Sequence, residues 1–177
     1  MPEQSPPTSA VAAANQFIKF AMAEPQYPFD QMKLQKLLFY SHAWHLAYDK
    51  GPLFEQDFEA WPWGPVVRDV YIQTKNAGRG RVANFLTEVK WDADGGPAVV
   101  APDGVGNAET AAFLKSVWNT MKSYTGVQLS NSTHAPGEPW TIVSEAVGTS
   151  GKPTISNSII KHVFKKKLEA APANPAA

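Results

Sequence analysis

Residues 31–50, QMKLQKLLFYSHAWHLAYDK, constrain this chain more than any other segment. At about 3.6 residues per turn, Leu34, Leu37, Leu38, Ser41, Trp44, His45 and Tyr48 share one helix face. Phe39, Ala43, Leu46 and Ala47 cover much of the other side. A helix that is apolar nearly all round has no face to give to water, so it is expected to run through the centre of its domain. Asp30 is placed to cap its first free N–H groups, with Phe29 stapled against Leu34 across the cap. Gly51 and Pro52 stop it.

Further helices are expected around that centre. Segment 10–23 is amphipathic and supplies Phe17, Ile18 and Phe20. Gly64-Pro65 reads as a helix start, because proline's missing N–H would have no intrahelical partner at the first position. Val67, Val70, Tyr71 and Thr74 would form its inward stripe, and Gly78 its end. Asn107 can cap a helix bearing Phe113, Leu114, Val117, Trp118 and Met121, which ends near Tyr124. Thr125 and Gln128 have capping-box spacing. Ser156 can cap the last helix, with Ile155 and Ile160 as its staple and Ile159, Val163 and Phe164 turned inward. Residues 85–91, the Asp94-Gly95-Gly96 turn and residues 98–101 fit a small accessory β-hairpin of poor alternation.

The fold expected is mainly α: a single compact multi-helix domain, residues 9–168, with a central hydrophobic helix and a small accessory β-hairpin. The flanks, 1–8 and 169–177, are rich in Pro and Ala and hold too few large apolar side chains to offset their ordering entropy, so they read as flexible tails. A chain of 177 residues, 44% of them hydrophobic, suffices for one core and would be cramped as two.

Composition narrows the function by exclusion. Sixteen basic and sixteen acidic residues cancel, so overall charge steers the chain toward neither nucleic acid nor an anionic membrane. With no cysteine there is no disulfide, thiolate metal site or cysteine nucleophile. No basic start precedes an apolar run at the N-terminus, and no stretch approaches the roughly 20 apolar residues of a membrane span, so the cytoplasm is the expected location.

Of four histidines, His42 and His45 stand three apart on one helix, which does not match the two-turn zincin pattern. They read as a buried, hydrogen-bonded His45 and a half-exposed His42. His134 lies in the Ser132–Pro136 connection, where it and Thr133 can donate hydrogen bonds that fix the turn toward Pro139-Trp140. The competing reading makes His134 and Glu138 an acid/base pair of a small hydrolase-like enzyme. No nucleophile elbow, phosphate loop or metalloprotease signature is present, and neither a cofactor nor a metal is expected. Basic residues gather at Lys75, Arg79 and Arg81 and at Lys161, Lys165, Lys166 and Lys167. The second group sits where cations complement a helix C-terminus, which argues against nucleic-acid binding. Trp61, Trp63 and Trp140 flank prolines and helix starts. Burial is expected for Trp61 and Trp140, while nothing local decides Trp63.

The run Lys33-Leu34-Gln35-Lys36-Leu37-Leu38-Phe39-Tyr40-Ser41-His42-Ala43-Trp44-His45-Leu46, then Pro52-Leu53-Phe54 and Phe58-Glu59-Ala60-Trp61-Pro62-Trp63-Gly64-Pro65-Val66-Val67-Arg68-Asp69-Val70-Tyr71, resembles the Panacea domain. Leu129-Ser130-Asn131-Ser132-Thr133-His134, Pro139-Trp140, Ile155 and Val163-Phe164 continue the likeness over about residues 10–164. That family, also described as GepA-like, SocA-like or phage-associated, implies an antitoxin that neutralises a cognate protein toxin by direct contact and is not an enzyme. Its SocA-like branch further implies a proteolytic adaptor that delivers the toxin to the ClpXP protease. Members with DNA-binding activity add a helix-turn-helix segment, and none is expected in the short flanks here. The resemblance implies core roles for Leu34, Leu37, Trp44 and Tyr71. It implies a toxin-binding surface around two helix starts for Trp63, Gly64, Pro65, Arg68, His134 and Trp140. The terminal Pro-Ala-Ala, 175–177, reads as an ordinary chain end or as a degradation tag.

Overall fold

The computed structural model describes residues 7–171. Its elements, in chain order, are α1 (Ala10–Ala23), α2 (Gln31–Ala47), β1 (Phe58–Trp61), β2 (Gly64–Val66), α3 (Arg68–Thr74), β3 (Glu88–Trp91), β4 (Pro97–Val100), α4 (Ala108–Met121), α5 (Gly126–Thr133), α6 (Pro139–Val147), β5 (Thr154–Ile155) and α7 (Asn157–Ala170). The molecule is mainly α. Of the expected tails, residues 1–6 and 172–177 lie outside the described residues; within the rest, Thr8 bridges to Phe54, and Glu169 and Ala170 belong to α7.

α2 is the central helix. Leu34, Leu37, Leu38, Phe39 and Ala43 are fully buried on it, and α1, α3, α4, α5, α7 and β2 all pack against it. Asp30 accepts from the Lys33 backbone N–H at 2.7 Å, and Phe29 is buried beside this cap. The helix ends at Ala47, three residues before the expected Lys50, because Asp49 turns the chain with a φ of +58°. The Asp49 carboxylate is held there by Lys161 at 2.7 Å and Lys165 at 2.6 Å on α7.

Caps define the other helix starts. Ser9, Asn107 and Ser156 accept from backbone N–H groups of α1, α4 and α7, and Thr125 with Gln128 forms the capping box of α5. Pro139 opens α6, so the proline-first rule applies there. It does not apply at Pro65. Gly64 and Pro65 form strand β2, and the helix begins three residues later at Arg68. The reason is Gly64, whose φ of +107° is closed to a helix and whose partner across the hairpin is Trp61.

Two small sheets complete the fold. One has the order β2-β1-β5, all antiparallel, with Trp61 opposite Gly64 and Glu59 opposite both Val66 and Thr154. Pro65 sits on its edge strand, where a missing N–H costs no ladder bond. The other is the expected hairpin, β3 with β4, registered from Glu88 opposite Val100 to Trp91 opposite Pro97.

Candidate functional site

Of the six sequence candidates, Trp63, Gly64 and Pro65 belong to the β1–β2 hairpin, Arg68 and Trp140 bond to it, and His134 packs on Trp140. They take different positions there. The Trp63 side chain at the turn is 71% exposed, and Arg68 at the start of α3 is exposed. Gly64 and Pro65 are buried; His134 and Trp140 are half-buried.

Strand β1 orders the exposed flank. Arg68 donates from Nε and Nη2 to the two Glu59 carboxylate oxygens, each at 2.9 Å, a bidentate pair. The Trp61 N–H donates to the same carboxylate at 2.7 Å. The Trp61 ring packs at a tilt against Tyr71, centroids 4.6 Å apart, and takes the Lys152 ammonium at 3.9 Å and the Arg68 guanidinium at 5.8 Å. Trp61 is half-buried, as are Trp140, Trp44 and Tyr71, whereas Leu34 and Leu37 are fully buried.

Under the hairpin lies a buried amine that sequence reasoning passed over. Lys36 of α2 is 1% exposed, and its Nζ donates to the Pro65 carbonyl at 3.2 Å. Burial pulls its pKa down to about 7. Gly64 permits this approach: a Cβ there would stand 2.8 Å from Lys36 Cε, Lys36 Nζ and Thr133 Oγ1. The available signal was positional, since Lys33 and Lys36 sit one turn apart on a helix with no polar side. Lys33 is buried too and donates to the Lys122 carbonyl at 2.6 Å.

The connection after α5 closes the site. Thr133 Oγ1 donates to the Ser130 carbonyl at 2.7 Å, and Thr141 Oγ1 to the Ala135 carbonyl at 2.8 Å. The His134 ring packs edge-on against Trp140 at 3.9 Å, and burial, then the Lys36 charge, lowers its pKa. Thr133 thus donates as expected, whereas His134 Nε2 is buried with no hydrogen-bond partner among the described residues, and His134 meets Trp140 through its ring. Among the described residues no hydrogen bond joins His134 to Glu138; the Glu138 carboxylate pairs with Lys167 of α7. Tyr40, in the same layer, is pushed up to about 12 by burial, against a hydrogen bond with Ser132.

The α2 histidines exchange their expected places. His42 is fully buried, with Nε2 2.8 Å from Asn157 Oδ1, and burial lowers it to about 4. His45 is half-buried, with Nδ1 2.7 Å from the Gly51 carbonyl. Position 42 faces α7, which covers it. Among the described residues no cluster of three or more His, Asp or Glu could hold a metal, and no helix is long and apolar enough to cross a membrane.

The family described as "Antitoxin SocA-like, Panacea domain" matches residues 34–141, from the first turn of α2 into α6, so the whole hairpin site lies inside the match. Antitoxin SocA of Caulobacter vibrioides (strain NA1000 / CB15N) is 33% identical over 142 residues, which is 79% of this chain and 72% of that protein. No solved structure matches. A family match over more than half the chain and a relative aligned along most of both sequences agree, and the chain belongs to the SocA-like antitoxins of the Panacea-domain family.

Proposed function

We propose that this protein neutralises a cognate protein toxin in the cytoplasm by binding it directly, through the surface that presents Trp63 and Arg68. Family membership carries the reading, since the matched segment contains the hairpin and the Lys36, Ser130 and Trp140 side chains that hold it. An exposed Trp63 indole and an exposed Arg68 guanidinium already fixed by Glu59 are residue types that anchor interfaces. Binding is favoured over catalysis because Lys167 pairs with Glu138, His134 packs on Trp140, and no hydrogen bond joins His134 to Glu138 among the described residues. Co-expression with the product of the adjacent gene is expected to restore growth and to yield a co-purifying complex. Failure of both overturns the reading.

Delivery of the bound toxin to ClpXP is the finer step of the same proposal. Reconstituted degradation of the toxin is expected to accelerate when this chain is added. Equal rates with and without it leave neutralisation by blocking as the mechanism.

A further inference from the structure

Three alternate carbonyls of the hairpin each accept a hydrogen bond from a different helix. Trp140 of α6 donates from its indole N–H to the Trp61 carbonyl at 2.7 Å. Ser130 of α5 donates from Oγ to the Trp63 carbonyl at 2.8 Å. Lys36 of α2 donates to the Pro65 carbonyl at 3.2 Å. Between these anchors Pro62 restricts its own φ, and Gly64 is pressed against Lys36 and Thr133. The two-residue turn Pro62-Trp63 is thus held at its base and its middle by groups from three separate helices.

What this clamp presents is a bare indole. The Trp63 side chain is 71% exposed, and among the described residues its N–H meets no acceptor. A structural tryptophan in a small domain is ordinarily buried with its N–H satisfied, as Trp118 is here through Glu24. A large rigid side chain on a backbone that is already ordered loses little freedom on association, and this is how preorganisation raises affinity.

We propose that the β1–β2 turn is a preorganised finger whose Trp63 indole enters an apolar pocket of the toxin, with Ser130 and Trp140 as positioning residues. The pocket supplies a carbonyl or carboxylate oxygen to the indole N–H, because burying that donor unpaired would oppose binding. The proposal rests on the antitoxin reading and adds which part of the surface makes the decisive contact.

Titration calorimetry on the purified toxin from the co-expression experiment tests it, using the full chain and its variants. Trp63→Ala is expected to weaken binding at least about 30-fold, the range of an interface hot spot, with the melting temperature unchanged. Ser130→Ala and Trp140→Phe each remove one clamp donor and are expected to weaken binding several-fold. In the Trp63→Ala background neither should weaken it further, since placement of an absent indole has no value; a merely structural role would not produce that coupling. Trp140→Phe keeps the ring and so remains readable if Ser130→Ala perturbs α5. Native-like binding by Trp63→Ala, or equal losses from the clamp variants with and without Trp63, overturns the proposal while leaving the antitoxin reading intact. If the native chain binds no toxin, the antitoxin reading itself fails.

Discussion

The Lys36 amine donates to the Pro65 carbonyl and has a pKa of about 7 against 10.5 in the unfolded chain. Between those values the unfolded chain binds a proton that the fold does not, so stability rises with pH from 7 toward 10.5. The slope attributable to one group reaches about 1.4 kcal/mol per pH unit. Lys36→Met is expected to flatten it, leaving the smaller contribution of Lys33, which burial lowers to about 8. Urea midpoints at neutral and alkaline pH measure this, and an unchanged slope contradicts it. His42 acts at the other end of the scale. Its folded pKa of about 4 lies below the unfolded 6.5, so stability is lost as pH falls through that window. His42→Gln, which retains a donor for Asn157, is expected to remove that acid sensitivity, and midpoints at pH 7 and 4.5 compare the two. Gly64→Ala combines a φ of +107° with overlap against Lys36 and Thr133. Backbone strain alone is worth ~1–3 kcal/mol, so thermal melts should show a clear loss.

At the scale of elements, α5 bears Ser130, Thr133 and the start of the His134 connection, so its N-terminus matters to the site. The Thr125 hydroxyl accepts from the Gln128 N–H at 3.2 Å, and the Gln128 side chain accepts from the Thr125 N–H at 2.8 Å. Thr125→Ala is expected to cost about 1 kcal/mol, read as a lower melting temperature. Caps of this kind are local chemistry, and they explain why α2, α4, α5 and α7 are legible from a few consecutive residues each. The β2-β1-β5 sheet is not. Its strands are short, and Glu59 pairs with Thr154 from a distant part of the chain, which no local pattern announces. Proline shows the same divide: Pro139 follows the helix rule and Pro65 the edge-strand rule, and only the left-handed Gly64 before it separates them. In the candidate site, the proposed contacts Trp63 and Arg68 are named through the family resemblance. Lys36 and Ser130 were hidden, because a lysine reads as a solvated charge and a serine inside a helix carries no distinctive pattern.

At the scale of the whole molecule, the family match and the folding unit differ in extent. The match covers residues 34–141 and omits α1 and α7. Yet Phe164 of α7 is fully buried against Phe39 at 5.9 Å and Trp44 at 4.9 Å, both on α2. α1 contributes Phe17 and Ile18 to the core, and its Asn15 side chain bonds the Leu86 backbone at 2.9 and 2.8 Å, tying the chain before β3 to the body. Removing both helices would expose two sides of a helix that has no polar face to offer in exchange. Residues 34–141 expressed alone are therefore expected to bind a hydrophobic dye and to melt without a cooperative transition, whereas residues 7–171 should unfold in one step. Phe164→Ala in the full chain probes the same interface by a smaller change and is expected to cost ~3–5 kcal/mol. A cooperative melt of 34–141 would place the core within the matched segment, making α1 and α7 additions to it. The burial of α2 on both sides argues that they are instead its walls, and that the hairpin site is held in place only when they are present.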